Sequence, residues 1–219
     1  MDEMLDLKEL ETQYDDIGRI YLTSNNKYYS VTTMLSHTSD HSFLDEWRER
    51  VGHEEADRIT RVAANLGQHY HDLGEQFLLR KPLPKRQWMA EHLFKGTEPI
   101  LRKNITNVHA VECCLYSDRM MLAGRTDAIV DWRKELAVFD FKCIGHHNSE
   151  WLEGYWIQTT IYREMLKEMT GLEAKKLVLV CANKKNLKTK SFTESPTKYA
   201  KEAVKRIKKF RQYLKEINA

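Results

Sequence analysis

Residues 122–142, LAGRTDAIVDWRKELAVFDFK, decide how the rest of the chain is to be read. The segment divides into two strands, over residues 120–131 and 136–142, joined around Arg133 to Glu135. Leu136 to Phe141 is nearly continuous in apolar residues, the pattern of a central strand rather than a half-exposed edge. Asp140 and Lys142 are two residues apart, so strand alternation sends both side chains to one face. Phe141 points into the opposite layer and offers the first face only its carbonyl. Asp127 stands on the adjoining strand. Two acids and a lysine so placed match what metal-assisted phosphodiester cleavage needs: oxygens that hold a divalent cation, and an amine that positions or deprotonates the attacking water. A D-x-K triplet alone is more often a surface salt bridge or a lysine-capped sheet edge.

Working outward, residues 107–118 supply a third strand, KLVLV at 176–180 a short buried one, and KTKSFTE at 188–194 an edge strand. IYLT, SNNK and YYSV, residues 20–31, read as a hairpin turned by the Asn pair. SVTTMLS continues into a helical turn, and Asp40 caps a short helix with Phe43, Leu44 and Trp47 that Gly52 interrupts. From Glu54, the positions Ile59, Val62, Leu66, Tyr70, Leu73 and Phe77 recur in steps of three and four, predicting a long amphipathic helix that ends before Pro82 and Pro84. Gly67 and Gly74 each cost that helix about 1 kcal/mol relative to alanine, so beside His71 they predict close packing. RQWMAEHLFK predicts a helix stopping near Gly96, with a brief turn at Pro99. Trp151, Tyr155, Ile157, Ile161, Met165 and Met169 predict a helix closed by Gly171. A last helix begins near Ser195 and Pro196, with Ala203, Ile207, Phe210, Leu214 and Ile217 toward the body and lysines and arginines outside. These elements make an α/β fold, a central mixed sheet flanked by helices, over one domain of residues 1–219. Residues 1–16 are a strongly acidic segment, read as a short helix through Leu5, Leu7 and Leu10 or as a flexible tail.

Composition narrows the classes. Hydrophobic residues at 42% and charged residues at 31%, with only four prolines and nine glycines, leave no room for long linkers or collagen-like tracts. The net charge of +3 is too small to imply a nucleic-acid partner, but a basic C-terminal helix offers a basic face. Arg102, Lys103, Lys184, Lys185, Lys188 and Lys190 add diffuse attraction for phosphate, and neighbouring Trp and Tyr rings can stack bases. Cys113, Cys114, Cys143 and Cys181 include no CxxC pair, which favours reduced thiols over a zinc ribbon or disulfide framework. His69 and His71 diverge on a helix and do not chelate together, and His146 and His147 fall in a polar turn. With no signal peptide, long apolar run or Walker motif, an intracellular protein without a motor of its own is expected, cytoplasmic in a bacterium or phage.

GQHYH at 67–71, AVE at 110–112, GRTD at 124–127, DFK at 140–142 and QTTIY at 158–162 together resemble the PD-(D/E)XK nuclease superfamily, over residues 28 to 181. Within it they are most similar to the RecB-like and Cas4-like branch and to the mitochondrial genome maintenance exonucleases. The resemblance implies a restriction-endonuclease-like core, metal binding by Asp127, Asp140 and the Phe141 carbonyl, and catalysis by Lys142. It also implies that His71 and Glu112 stand in or beside the metal shell, and that Gln158 and Tyr162 shape the site and touch DNA. SVTTML resembles a family segment that makes Ser30 and Thr33 DNA-contact candidates. Arg125 reads as opposing Asp127 on its strand, contacting phosphate if the strand twists. Each has a plainer reading: a packed histidine, an outward glutamate, fold-stabilising contacts on a helix. The implied cofactors are one or two Mg2+ or Mn2+ ions. The Cas4-like cysteine group is missing, so no iron–sulfur cluster is expected.

The resulting expectation is a metal-dependent DNA exonuclease on single-stranded ends or flaps, monomeric, away from membranes, working beside replication or recombination proteins. A structure-specific endonuclease and a non-catalytic DNA-binding accessory protein are the competing readings.

Overall fold

The computed structural model describes residues 4–145 and 149–217. His146 and His147 lie outside the described residues, as does the side chain of Trp151. In chain order the elements are β1 (Glu11–Tyr14), β2 (Arg19–Leu22), β3 (Lys27–Ser30), α1 (Val31–Thr38), α2 (Ser42–Val51), α3 (His53–Leu78), α4 (Trp88–Asn104), β4 (Ile105–Ser117), β5 (Leu122–Trp132), β6 (Glu135–Ile144), α5 (Ser149–Thr170), β7 (Lys176–Asn183), β8 (Thr189–Glu194) and α6 (Ala200–Ile217).

The strands form one mixed sheet in the order β1-β2-β3-β5-β6-β7-β8, with β4 paired to β5. β3–β5 and β6–β7 are parallel and the other pairs antiparallel. α5 covers one face with α1 and α6, packing Trp156, Ile161 and Met165 with Leu122, Ile129 and Val138 of the sheet. α3 and α4 cover the other, packing Tyr70, Leu73 and Phe94 with Val130, Trp132, Phe139 and Phe141. The near-continuous apolar run of β6 follows from this double cover: Val138 belongs to one layer, Phe139 and Phe141 to the other.

β5 positions the site. From Trp132↔Glu135 to Ala128↔Phe139 it pairs with β6, and then the two strands part. β6 continues on β7 as far as Ile144↔Asn183, while the same edge of β5 meets β3 only at Leu122 and Ala123. A gap therefore opens along residues 124–127 of β5, facing the outer half of β6.

Several predicted elements are revised. From residue 4 onward the acidic segment is not helical: the Leu5 N–H donates to the His109 carbonyl at 2.8 Å, and β1 pairs with β2. Leu5 and Leu7, two residues apart, pack on the sheet core, which a helix would forbid. α4 runs through Gly96 and Pro99 because Leu93, Phe94, Thr97 and Leu101 are buried along one stripe, and that burial outweighs the lost backbone bond and propensity. Of the α3 stripe, Leu66, Tyr70 and Leu73 are buried, while Ile59 and Val62 are exposed. α6 starts at Ala200 after a turn over residues 196–199, and Ile217 is exposed rather than turned to the body.

Candidate metal centre

Where β5 and β6 part, backbone groups lose their ladder partners, and side chains replace them. The Phe141 N–H donates to Asp127 Oδ2 at 2.6 Å, tying the strands across the fork. Asp127 also faces α3, where His71 Nδ1 stands 3.2 Å from Oδ2. Asp140, only 1% exposed, is ion-paired with Lys142, its i+2 neighbour on the same face. From β4, Glu112 lies between the pairs Val111↔Ala128 and Cys113↔Thr126, opposite Asp127. Its φ is +48°, a left-handed backbone that costs a non-glycine residue about 1–2 kcal/mol. Such strain is held where the surrounding structure over-determines it, and here it accompanies a carboxylate in the gap. Donor atoms of His71, Glu112 and Asp127 all lie within 4.8 Å of one another. Asp140 stands outside that trio, beside Lys142.

Two glycines make the approach of the helices geometrically feasible. A Cβ on Gly74 of α3 would come within 2.6 Å of Phe141 Cζ, so the bare backbone seats the ring whose amide holds Asp127. On the other face, a Cβ on Gly124 would meet Tyr162 Cε1 at 2.6 Å. Tyr162 is buried, and its hydroxyl oxygen accepts from Gln158 Nε2 at 3.1 Å, so the pair forms one polar spot on α5 behind β5. Gly67, by contrast, has nothing within 4 Å of an added Cβ, and the packing predicted for it is missing.

The electrostatics reflect burial of like and unlike charges together. Burial, reinforced by Asp127, pushes the Glu112 carboxyl up to about 7, against the pull of His71 and Arg125. Burial also raises Asp127, but His71, Lys142 and the Phe141 N–H outweigh it and hold its carboxyl below the usual range. Burial lowers the Lys142 amine, with Asp127 opposing. The amine lies 5.0 Å from the ring centroid of Tyr155. Tyr155, half-buried, reads from the sequence only as part of the α5 stripe. Its spacing to Gln158 and Tyr162, three and seven residues, was the available signal that all three share a helix face.

Not every predicted site residue joins this cluster. Ser30 and Thr33 are buried in the cap of α1: the Thr33 N–H donates to Ser30 Oγ at 2.9 Å, Ser30 Oγ donates to Thr33 Oγ1 at 2.8 Å, and the Arg19 N–H donates to Thr33 Oγ1 at 3.1 Å. Arg125 corrects a face assignment. Two residues from Asp127 on one strand, it lies on the same side, with Nη1 4.0 Å from Glu112 Oε2 and Nη2 2.5 Å from Glu9 Oε2 of the N-terminal segment. Arg102 is paired with Glu98 and lies over the Phe77 ring. Cys113, Cys114 and Cys181 are buried and Cys143 is half-buried, spread over β4, β6 and β7. Among the described residues no helix is long and apolar enough to cross a membrane.

A sequence profile of the PD-(D/E)XK nuclease superfamily matches residues 37–219. No curated protein matches the sequence. Among solved structures the chain is similar to a candidate exonuclease from Eubacterium rectale, with a TM-score of 0.49 and 13% identity over 85% of this chain and 82% of that one. It is also similar to the protein SSO0001, with a TM-score of 0.38 and 18% identity over 57% of this chain and 59% of that one.

Proposed function

The chain belongs to the PD-(D/E)XK nuclease superfamily, and on that premise we propose that it is a divalent-metal-dependent DNA exonuclease, one nuclease domain that trims single-stranded ends or flaps. The observation that carries this reading is the trio His71, Glu112 and Asp127, with donor atoms within 4.8 Å of one another beside the Asp140–Lys142 pair. Two carboxylates and an imidazole at that spacing suit a hard or borderline divalent cation, such as Mg2+ or Mn2+. In this proposal the trio holds the ion, with Asp140 and the Phe141 carbonyl as further oxygen donors.

When bound, the ion supplies the positive charge that a phosphodiester needs as a fifth oxygen closes on phosphorus. Lys142 positions the attacking water and takes its proton, a role that burial favours by lowering the amine. Asp140 and the Tyr155 ring fix where that amine points. His71 steadies the charged form of Asp127. Gln158 and Tyr162 shape the α5 side of the site, and Arg125 offers a phosphate contact at its rim.

Placement in the RecB-like and Cas4-like branch, near the mitochondrial genome maintenance exonucleases, rests on the chain order of GQHYH, GRTD, DFK and QTTIY. That placement supports end-trimming over internal cutting. The test compares linear single-stranded DNA carrying one end label with a covalently closed circle of the same sequence, in Mg2+ and in Mn2+. Release of short products from the linear strand alone is expected. Cutting of the circle would replace the exonuclease with an endonuclease, and binding without cleavage of either would leave a DNA-binding accessory protein.

A further inference from the structure

We propose that the groove between the α2–α3 helix pair and the outer ends of β6 and β7 is a track for single-stranded DNA, in which Phe43 and Trp47 carry unstacked bases and Lys184 and Lys185 meet the phosphates. The inference rests on the nuclease reading and deepens it by naming the surface that carries the single strand to the site.

The groove encloses about 660 Å³ and is lined by Phe43, Trp47 and Ile59 from α2 and α3, by Tyr155 from α5, and by Lys184 and Lys185 from the turn after β7. It adjoins the Lys142 side of the metal centre. Tyr155 lines it and also lies against the Lys142 amine, and Cys143, the next residue after Lys142, forms part of its wall. In this proposal a strand lying in it leads past Tyr155 toward the fork of β5 and β6.

The helical wall is built unlike the rest of the protein. α2 buries no residue, Phe43 is 55% exposed, and Ile59, the first member of the α3 stripe, is 37% exposed. An apolar face that the core leaves uncovered next to a catalytic site marks a binding surface. Its chemistry selects the occupant. Aromatic faces offer stacking to any base, but only a base already out of a duplex can reach them, and lysines attract phosphate without regard to sequence. Two rings and two lysines along one groove therefore fit a single strand read by form and not by sequence. The fork receives that strand one phosphate at a time.

The test measures fluorescence anisotropy of labelled oligothymidylate, and of a blunt duplex of equal length, with the full chain in EDTA so that no cleavage intervenes. The wild type is expected to bind oligothymidylate about tenfold or more tighter than duplex. Phe43→Leu and Trp47→Leu should each weaken single-strand binding roughly tenfold and leave duplex binding unchanged, while Trp47→Phe keeps most of the affinity. Leucine preserves apolar bulk, and an unchanged melting temperature confirms that each variant is folded. Equal binding of duplex and single strand by the wild type overturns the proposal. So do leucine variants that bind like wild type, or a dimer that dissociates on Trp47→Leu and reveals a self-interface. Cleavage assays on the same proteins separate the two readings. A wild type that binds but hydrolyses nothing removes the nuclease and leaves the groove, whereas a wild type whose hydrolysis the leucine variants share unchanged removes the groove and leaves the nuclease.

Discussion

The two ends of β5 are made of the same strand and do opposite work. From Ala128 to Trp132 it is paired on both edges, by β4 and β6, and Val130 and Trp132 are fully buried under α3 and α4. From Gly124 to Asp127 the β6 edge is open, and the space is taken by Asp127, the Phe141 amide and the groups drawn in around them. A continuous ladder satisfies backbone groups and leaves side chains to pack. A broken one leaves polar groups that must find side-chain partners, and so gathers charge at one place. Core packing and the gathering of charge are thereby separated along a single strand.

The sharpest way to break this comparison is one substitution at each end. Asp127→Asn should lower DNA hydrolysis by roughly a thousandfold in the protein that remains folded, since it removes charge but keeps shape. Phe139→Ala, in the paired half of β6, should cost about 3–5 kcal/mol in urea unfolding while the folded fraction keeps most of its activity. Single-turnover cleavage and equilibrium unfolding of both proteins decide it; a hydrolytic loss as large in Phe139→Ala, corrected for folding, would erase the distinction.

A smaller effect separates the glycines of α3. Gly74→Ala pushes a methyl into the Phe141 ring, and overpacking of this kind costs about 1–3 kcal/mol; it should also slow cleavage by shifting the amide that holds Asp127. Gly67→Ala meets open space and should stabilise the protein by about 0.5–1 kcal/mol. Urea unfolding of the pair gives opposite signs if the packing at Gly74 is as described.

The smallest effect is in pH. The folded carboxyl of Glu112 is raised to about 7 from 4.5. Between those values the folded protein retains a proton that the unfolded chain releases, so this group makes the metal-free protein less stable as pH rises through the window. A cation that binds the carboxylate must displace that proton. The rise in melting temperature caused by Mn2+ should therefore be small near pH 5.5 and grow through pH 7, and Glu112→Gln should flatten the growth.

How far the site was legible depended on the range of the pattern involved. Asp140 and Lys142 followed from alternation within one strand, and both occur on one face as expected. Glu112 could be located on the preceding strand but not its left-handed backbone, which arises only where β4 is set against β5. Arg125 was misassigned although the same alternation places it with Asp127. Tyr155 was passed over because a tyrosine in an apolar stripe carries no local mark of the lysine it will meet. The stripe of α3 reads as uniform, yet its members Ile59 and Val62 are exposed and Leu66, Tyr70 and Leu73 buried, because periodicity records which face is apolar and not what covers it.

Local sequence alone determined the strands around residues 107–142, the apolar continuity of β6, a helix over residues 151–169 and the presence of an acid, acid and lysine set, since these depend on side-chain periods of two and 3.6 residues. Tertiary structure alone decided that β5 and β6 part at Asp127, that α3 brings His71 to the break, and that α4 survives its glycine and proline. The physical reason is the same in each case: strand pairing and burial are sums over contacts between segments far apart in the chain, and no short stretch contains their balance.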